Sequence, residues 1–126
     1  MKSKKDPRHQ KRIKIIQDIF AWSCGNKSHL NSDIEAIIDN LDQIDKIISK
    51  GAPKWPIDKI NKIDLSILRY AVWEIAIYNK NPVKVIIDEV IEIAKEYSSE
   101  TSSSFINGAL GSIIRELKIE IKNKDE

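Results

Sequence analysis

Isoleucine is the commonest residue of this chain, and its spacing is the feature that most restricts the fold. Twenty-five of the 126 residues are isoleucines, and most of them recur three or four positions apart. One face of an α-helix repeats at that spacing, whereas a half-buried strand repeats at every second residue. Isoleucine by itself mildly favours strands, but the repeat decides which side chains can be buried together. The chain is therefore predicted to be all-α.

Polar and turn-forming residues divide this pattern into five predicted helices. Asp6 is predicted to be the N-cap of the first helix, and Pro7 is predicted to be its first residue. A capping box that begins at Ser32 predicts the second start, and Asp64 is predicted to cap the third helix. A polar, serine-rich break at 98–103 precedes the last helix. In order, the predicted helices cover residues 7–24, 32–50, 65–78, 82–97 and 104–121.

Length and composition predict one globular domain with no membrane span. A chain of 126 residues lies near the usual domain size of about 100–150 residues. The single cysteine, Cys24, cannot form an internal disulfide, which suits a reducing compartment. No apolar run approaches the ~20 residues that a membrane helix requires. The basic start leads into no signal-type apolar segment, so a cytoplasmic location is predicted.

The charge is concentrated at the N-terminus. Residues 1–14 have a net charge of +6, and the whole chain is +2, which leaves −4 for residues 15–126. A basic end on a mildly acidic body is typical of a nucleic-acid-binding arm. The alternative is a hydrated, solubilising terminus, and charge alone does not decide between the two.

Three cations lie where a helix disfavours them. Arg8, Lys11 and Arg12 occupy the first two turns of the first predicted helix. The helix dipole is positive at that end, so each cation there costs a few tenths to ~1 kcal/mol. An anionic partner such as an RNA phosphate would offset this cost.

The C-terminal half carries the most specific order of motifs. Together with the basic opening, these motifs include Arg8-x-x-x-Arg12, Ile67-Leu68-Arg69-x-Ala71-x-x-Glu74, Pro82-x-x-Val85-x-Ile87, Glu92-x-Ala94-Lys95 and Phe105-Ile106-Asn107-Gly108. The last motif follows a helix at a fixed distance and is the most specific of them. In these residues the chain resembles the NusB family of bacterial transcription antitermination factors.

The resemblance implies a fold, a function and partners. It implies one NusB-like domain over residues 1–126, built from two small packed helix bundles at about 1–54 and 55–126. It also implies binding to boxA RNA together with NusE, a small-subunit ribosomal protein. The complex would join the antitermination assembly on RNA polymerase during ribosomal RNA transcription.

The resemblance also implies the site residues. For Phe105 the alternative is a core anchor, and for Asp64 it is a helix N-cap. Bases of single-stranded RNA stack on aromatic rings, which is the chemistry expected of Phe105. The residues implied for RNA binding are Arg8, His9, Lys11, Arg12 and Phe105, and those implied for NusE binding are Phe20 and Asp64.

No pattern in the chain predicts a catalytic, cofactor or metal site. The two histidines and Cys24 lack metal-ligand spacing, and there is no glycine-rich phosphate loop. Arg69 is interpreted as a structural ion-pair partner of Glu74 or Glu89. Two other functions stay open: a protein-interaction adaptor without RNA binding of its own, and the NusB-like partner of a separate RNA-modifying enzyme.

Overall fold

The computed structural model describes residues 6–27 and 31–116, and across this part of the chain there are helices and no strand. The predicted all-α class is confirmed. None of the described helices is long and apolar enough to cross a membrane. Lys2, Lys4, Lys5, His29 and positions 117–121 of the predicted last helix lie outside the described residues. The α-helices are α1 (Pro7–Ser23), α2 (Ser32–Asp39), α3 (Leu41–Gly51), α4 (Lys62–Val72), α5 (Val83–Tyr97) and α6 (Glu100–Glu116).

The first helix begins and ends as its sequence predicts. The Asp6 side chain accepts a hydrogen bond from the Arg8 backbone N–H at 2.8 Å, and Pro7 is the first helical residue. After Ser23 the chain reaches Gly25 at φ +100°, a conformation that glycine adopts without a steric cost. Local chemistry alone therefore sets both ends of α1.

The prediction of a single helix over residues 32–50 is wrong. Two helices, α2 and α3, cover this stretch, because the chain bends at Asn40. The Asn40 side chain donates to the Ala36 carbonyl at 2.7 Å and ends α2. Asparagine side chains compete in this way with helical backbone hydrogen bonds. The N-cap also differs: Asn31, rather than Ser32, accepts from the N–H groups of Asp33 and Ile34.

Two later helices begin earlier than predicted. Asn61 caps α4, accepting from the Asp64 N–H at 2.9 Å and donating to the Asp64 carboxylate at 3.1 Å. Asp64 therefore lies inside the first turn of α4 and is not its N-cap. Ser99 accepts from the Ser102 N–H at 3.0 Å, so α6 begins at Glu100. Phe105 consequently lies in the second turn of α6.

The isoleucine-rich faces of the six helices meet in one continuous core. Helix α1 packs on α4, α5 packs on α6, and α3 contacts both α4 and α6. The division into subdomains near residue 54 stays a prediction. Each helix contributes side chains that are at most 2% exposed, among them Ile19, Ile34, Ile44, Leu68, Ile86, Ile93 and Ile106.

The end of α3 lies against α6 at a glycine. A Cβ atom on Gly51 would lie 2.8 Å from the Ile113 Cα, closer than such contacts allow. The Ser112 hydroxyl donates to the Gly51 carbonyl at 2.7 Å across the same contact. Glycine is therefore required at the point where the two helices meet.

Arg69 joins the two halves of the chain. Its guanidinium donates two hydrogen bonds, each 2.9 Å long, to the Asp45 carboxylate of α3. The predicted pairing of Arg69 with Glu74 or Glu89 is wrong, because both of those carboxylates face α1 instead.

Candidate nucleic-acid interface

Two of the four α1 residues that are predicted to contact RNA are buried against the protein's own carboxylates. Arg12, only 7% exposed, donates from Nε and Nη2 to both oxygens of Glu74, at 3.0 and 2.8 Å. Its Nη1 donates to Glu89 at 3.3 Å. Asn81 also donates to Glu74, at 2.7 Å. These contacts attach α1 to α5 and to the residues that follow α4.

The pKa values in this cluster favour a fully charged pair. Burial alone would raise the pKa of Glu74, but hydrogen bonds from Arg12 and Tyr70 outweigh it and hold that pKa below its ordinary value. The same hydrogen bond to Glu74 raises the pKa of Arg12, against the effect of its burial. Burial raises the pKa of Tyr70. The Arg12–Glu74 pair therefore stays ionised at physiological pH.

His9 is enclosed between two carboxylates of α5. The ring is 2% exposed, with Nδ1 at 3.0 Å from a Glu89 oxygen and Nε2 at 3.4 Å from a Glu96 oxygen. Burial by itself would lower the pKa of His9, but the hydrogen bonds with Glu89 and Glu96 outweigh it and raise that pKa above 6.5.

The raised pKa makes stability depend on pH. The protonated His9 stabilises the fold fully below its unfolded pKa, about 6.5, and this contribution is lost as the pH rises through the higher folded pKa. We expect the free energy of unfolding to fall as the pH rises from about 6.5 through the higher folded pKa of His9. Urea titrations across that range measure it. A His9→Gln variant should show a flatter profile, and an identical slope in both proteins would contradict this role.

The other two of these four residues, Arg8 and Lys11, face solvent. The Arg8 side chain is 82% exposed and pairs with Asp6, with Nη2 at 3.0 Å from Oδ2. The Lys11 side chain is 63% exposed, and its Nζ lies 3.8 Å from an Asp33 oxygen. Both pairs are exposed and therefore weak, so phosphates can compete for these cations. The RNA contact predicted for Arg8, His9, Lys11 and Arg12 stays a prediction.

Phe105 lies at the side of an open groove of about 510 Å³. Its ring is half-buried and meets Trp55 edge to face, with the centroids 5.5 Å apart. Lys54 and Lys59 line the same groove. An aromatic ring beside two lysines is the combination that binds single-stranded nucleic acid.

Asp64 also lines this groove and is only 5% exposed. Its Oδ2 accepts from Asn61, whereas Oδ1 has no hydrogen-bond donor among the residues described here. A buried carboxylate oxygen without a donor costs about 1–3 kcal/mol or more. Oδ1 is itself shielded from solvent, so a ligand in the groove reaches it only if the carboxylate moves.

Phe20 lies in a different opening. It is half-buried at an apolar cavity of about 180 Å³ between α1, α4 and α5. Ile63, which is 39% exposed, and Tyr97, 48% exposed, line this cavity too. Phe20 and Asp64, both predicted to bind NusE, thus line two separate openings, although Ile63 precedes Asp64 directly.

The buried acids were not recognised from the sequence, although their spacing contains a signal. Glu89 falls three residues after Ile86 and four before Ile93, on the buried stripe of α5. On α1, His9 and Arg12 share the stripe of Ile13 and Ile16. Opposite charges on two apolar stripes indicate a buried ion pair.

Comparison with known proteins gives consistent matches. The family model described as NusB family matches residues 4–115. The transcription antitermination protein NusB of Thermodesulfovibrio yellowstonii is 47% identical over 90 residues, which are 71% of this chain and 60% of that protein. Its counterpart in Finegoldia magna is 49% identical over 103 residues, 79% of this chain and 75% of that protein. The match thus spans about three-fifths to three-quarters of these relatives.

Solved structures share the fold. T. maritima NusB superposes with a TM-score of 0.76 at 30% identity, covering 89% of this chain and 93% of that one. A crystal structure of antitermination factors NusB and NusE in complex with double-stranded RNA gives a TM-score of 0.72 at 20% identity, covering 87% and 98%. At that identity the second likeness concerns the fold alone.

Proposed function

This chain belongs to the NusB family, and on that basis we propose that it is a non-catalytic, RNA-binding transcription antitermination factor. It binds boxA RNA together with NusE and joins the antitermination complex on RNA polymerase during ribosomal RNA transcription, in the cytoplasm. The family match over residues 4–115 carries the proposal. The proposed partners are those of an assembly crystallised from a protein of the same fold, NusB and NusE in complex with double-stranded RNA.

The exposed cations of α1 supply the electrostatic part of RNA binding. Arg8 and Lys11 project from the first two turns, where backbone N–H groups also favour an anion. Their present partners, Asp6 and Asp33, are exposed and easily exchanged for phosphates. His9 and Arg12 contribute indirectly in this proposal, because their contacts with α5 hold α1 in place.

The groove at Phe105 supplies the base contact. The exposed part of the ring stacks on an unpaired base, and Lys54 and Lys59 attract the adjoining phosphates. Asp64, which lines the same groove, contacts NusE. The apolar cavity at Phe20 receives an apolar side chain of NusE, as its isoleucine-rich lining favours.

Salt dependence tests the proposal directly. We expect boxA RNA to bind weakly alone and more tightly with NusE. An Arg8→Ala/Lys11→Ala variant should lose affinity, and its slope of log K against log salt should shrink by about 1.4, since each contact to single-stranded RNA contributes roughly 0.7. Fluorescence anisotropy at several salt concentrations measures both quantities.

The matched control removes two exposed lysines from α3, as Lys46→Ala/Lys50→Ala. That variant should retain the wild-type slope. Equal slopes for both double variants would reject the α1 interface. Binding of NusE with no RNA binding under any condition would favour the adaptor function instead.

A further inference from the structure

A second exposed aromatic platform lies beside the basic end of α1. Tyr78 is 42% exposed, and one face of its ring stacks on Trp73 with centroids 4.8 Å apart and planes inclined by 22°. Trp73 is itself only 6% exposed and contacts Tyr70 at 5.9 Å. The buried indole therefore supports the tyrosine from beneath and holds its ring in one orientation.

A π-helical turn of the backbone brings the two stacked rings together. Residues Trp73–Tyr78 form a π-helical turn after α4, in which the Asn79 N–H donates to the Glu74 carbonyl at 2.8 Å. Asn79 ends the turn in the left-handed region, at φ 52°. In an α-helix, residues five apart do not face each other, whereas here the pair Trp73 and Tyr78 is stacked. Single π-turns are rare and occur frequently at functional sites.

Cations surround the platform. Lys80 Nζ lies over the Tyr78 ring, 5.2 Å from its centroid. Because Trp73 covers the other face, this flexible side chain must move aside when a base stacks on the ring. Arg8 and Lys11 line a cavity of about 240 Å³ together with Trp73 and Tyr78. This volume lies below the ~300–1,000 Å³ of typical small-molecule pockets and suits a single flat group. A supported aromatic ring among three exposed cations matches the chemistry of one nucleotide: a base to stack and phosphates to neutralise.

We propose that Tyr78, supported by Trp73, stacks on one unpaired base of the bound RNA while Arg8 and Lys11 contact the flanking phosphates. The inference rests on the proposed RNA-binding function and adds a second base site to the one at Phe105. The two sites share no lining residue, so they hold two different nucleotides of the RNA.

Substitutions at Tyr78, measured with intact RNA and with RNAs that lack one base, test this site. Tyr78→Ala should weaken binding of boxA RNA roughly 5- to 150-fold, the range of a lost base–aromatic stack. Tyr78→Phe should retain affinity, because the ring remains. Tyr78→Leu, which still covers Trp73 but has no aromatic face, should behave like Tyr78→Ala. Val85→Ala, at another side chain that is 42% exposed, is the control that should bind like the wild type.

The decisive measurement combines each variant with RNAs that lack one base. Removing the base that stacks on Tyr78 should weaken wild-type binding by the same factor as the Tyr78→Ala substitution does. The same abasic RNA should bind Tyr78→Ala no more weakly than the intact RNA does. If every abasic position weakens both proteins equally, or if Tyr78→Leu binds normally, the platform is rejected while the proposed function stands. If the wild type binds no RNA at all, the proposed function itself fails. Equal competition by an oligoglutamate would assign the site to an acidic peptide and overturn the inference.

Discussion

Replacing Glu74 by alanine is expected to lower the free energy of unfolding by about 3–5 kcal/mol. The substitution leaves the Arg12 guanidinium buried with two of its three carboxylate contacts gone, and it also removes the acceptor of Asn81. A buried charge that keeps only its 3.3 Å contact with Glu89 is far more costly than a lost surface pair, because most of its desolvation penalty is no longer offset. Urea unfolding followed by circular dichroism gives the value.

The chain offers a matched control in Asp45. Its two hydrogen bonds with Arg69 have the same bidentate geometry, but the Asp45 side chain is 27% exposed, so water can replace it. Asp45→Ala should therefore cost clearly less than Glu74→Ala. A combined Arg12→Met/Glu74→Leu protein should recover part of the loss, since it removes both charges of this pair while Glu89 keeps its contact with His9. Equal losses for Glu74→Ala and Asp45→Ala would contradict the importance of burial.

Replacing Phe105 by leucine is expected to weaken RNA binding by about 1–3 kcal/mol, or roughly 5- to 150-fold. Leucine keeps an apolar side chain against Trp55, so the packing of the N-terminal part of α6 is retained. The aromatic face is lost. Anisotropy titrations with boxA RNA measure the change, and thermal unfolding checks that the protein stays folded.

Phe105→Tyr provides the comparison, because it keeps the ring and should bind nearly as well as the wild type. If Phe105→Leu binds RNA normally yet unfolds at a lower temperature, Phe105 is the core anchor that the sequence also allows. The half-buried position of the ring makes both roles compatible with the fold, and the two measurements separate them.

The helices were predictable because burial imposes a spacing. Isoleucines three and four apart can be buried together only on one face of a helix, so the class and most of the stripes follow from the sequence. The helix starts were less predictable. Asn31, Asn61 and Ser99 cap their helices where a neighbouring polar residue was expected to do so. Several adjacent side chains can cap, and tertiary packing selects one of them.

The π-turn was not predictable at all. The pattern of residues 65–78 fits an uninterrupted helix, and the change of register after Val72 has no local signal. It accompanies the contacts of Glu74 with Arg12 and Asn81, residues that are distant in sequence or lie beyond the helix. The stacked pair Trp73 and Tyr78 thus occurs together with contacts that the local sequence does not reveal.

The sequence by itself determined the helical class, the family and the presence of a basic N-terminal segment, because spacing, motif order and charge are properties of the chain. Only the tertiary structure decided which cations are exposed to solvent. Arg8 and Lys11 face water, whereas Arg12 and His9 lie against Glu74 and Glu89. A charge count cannot make this distinction, since burial depends on the helix packed opposite and on whether it presents a carboxylate.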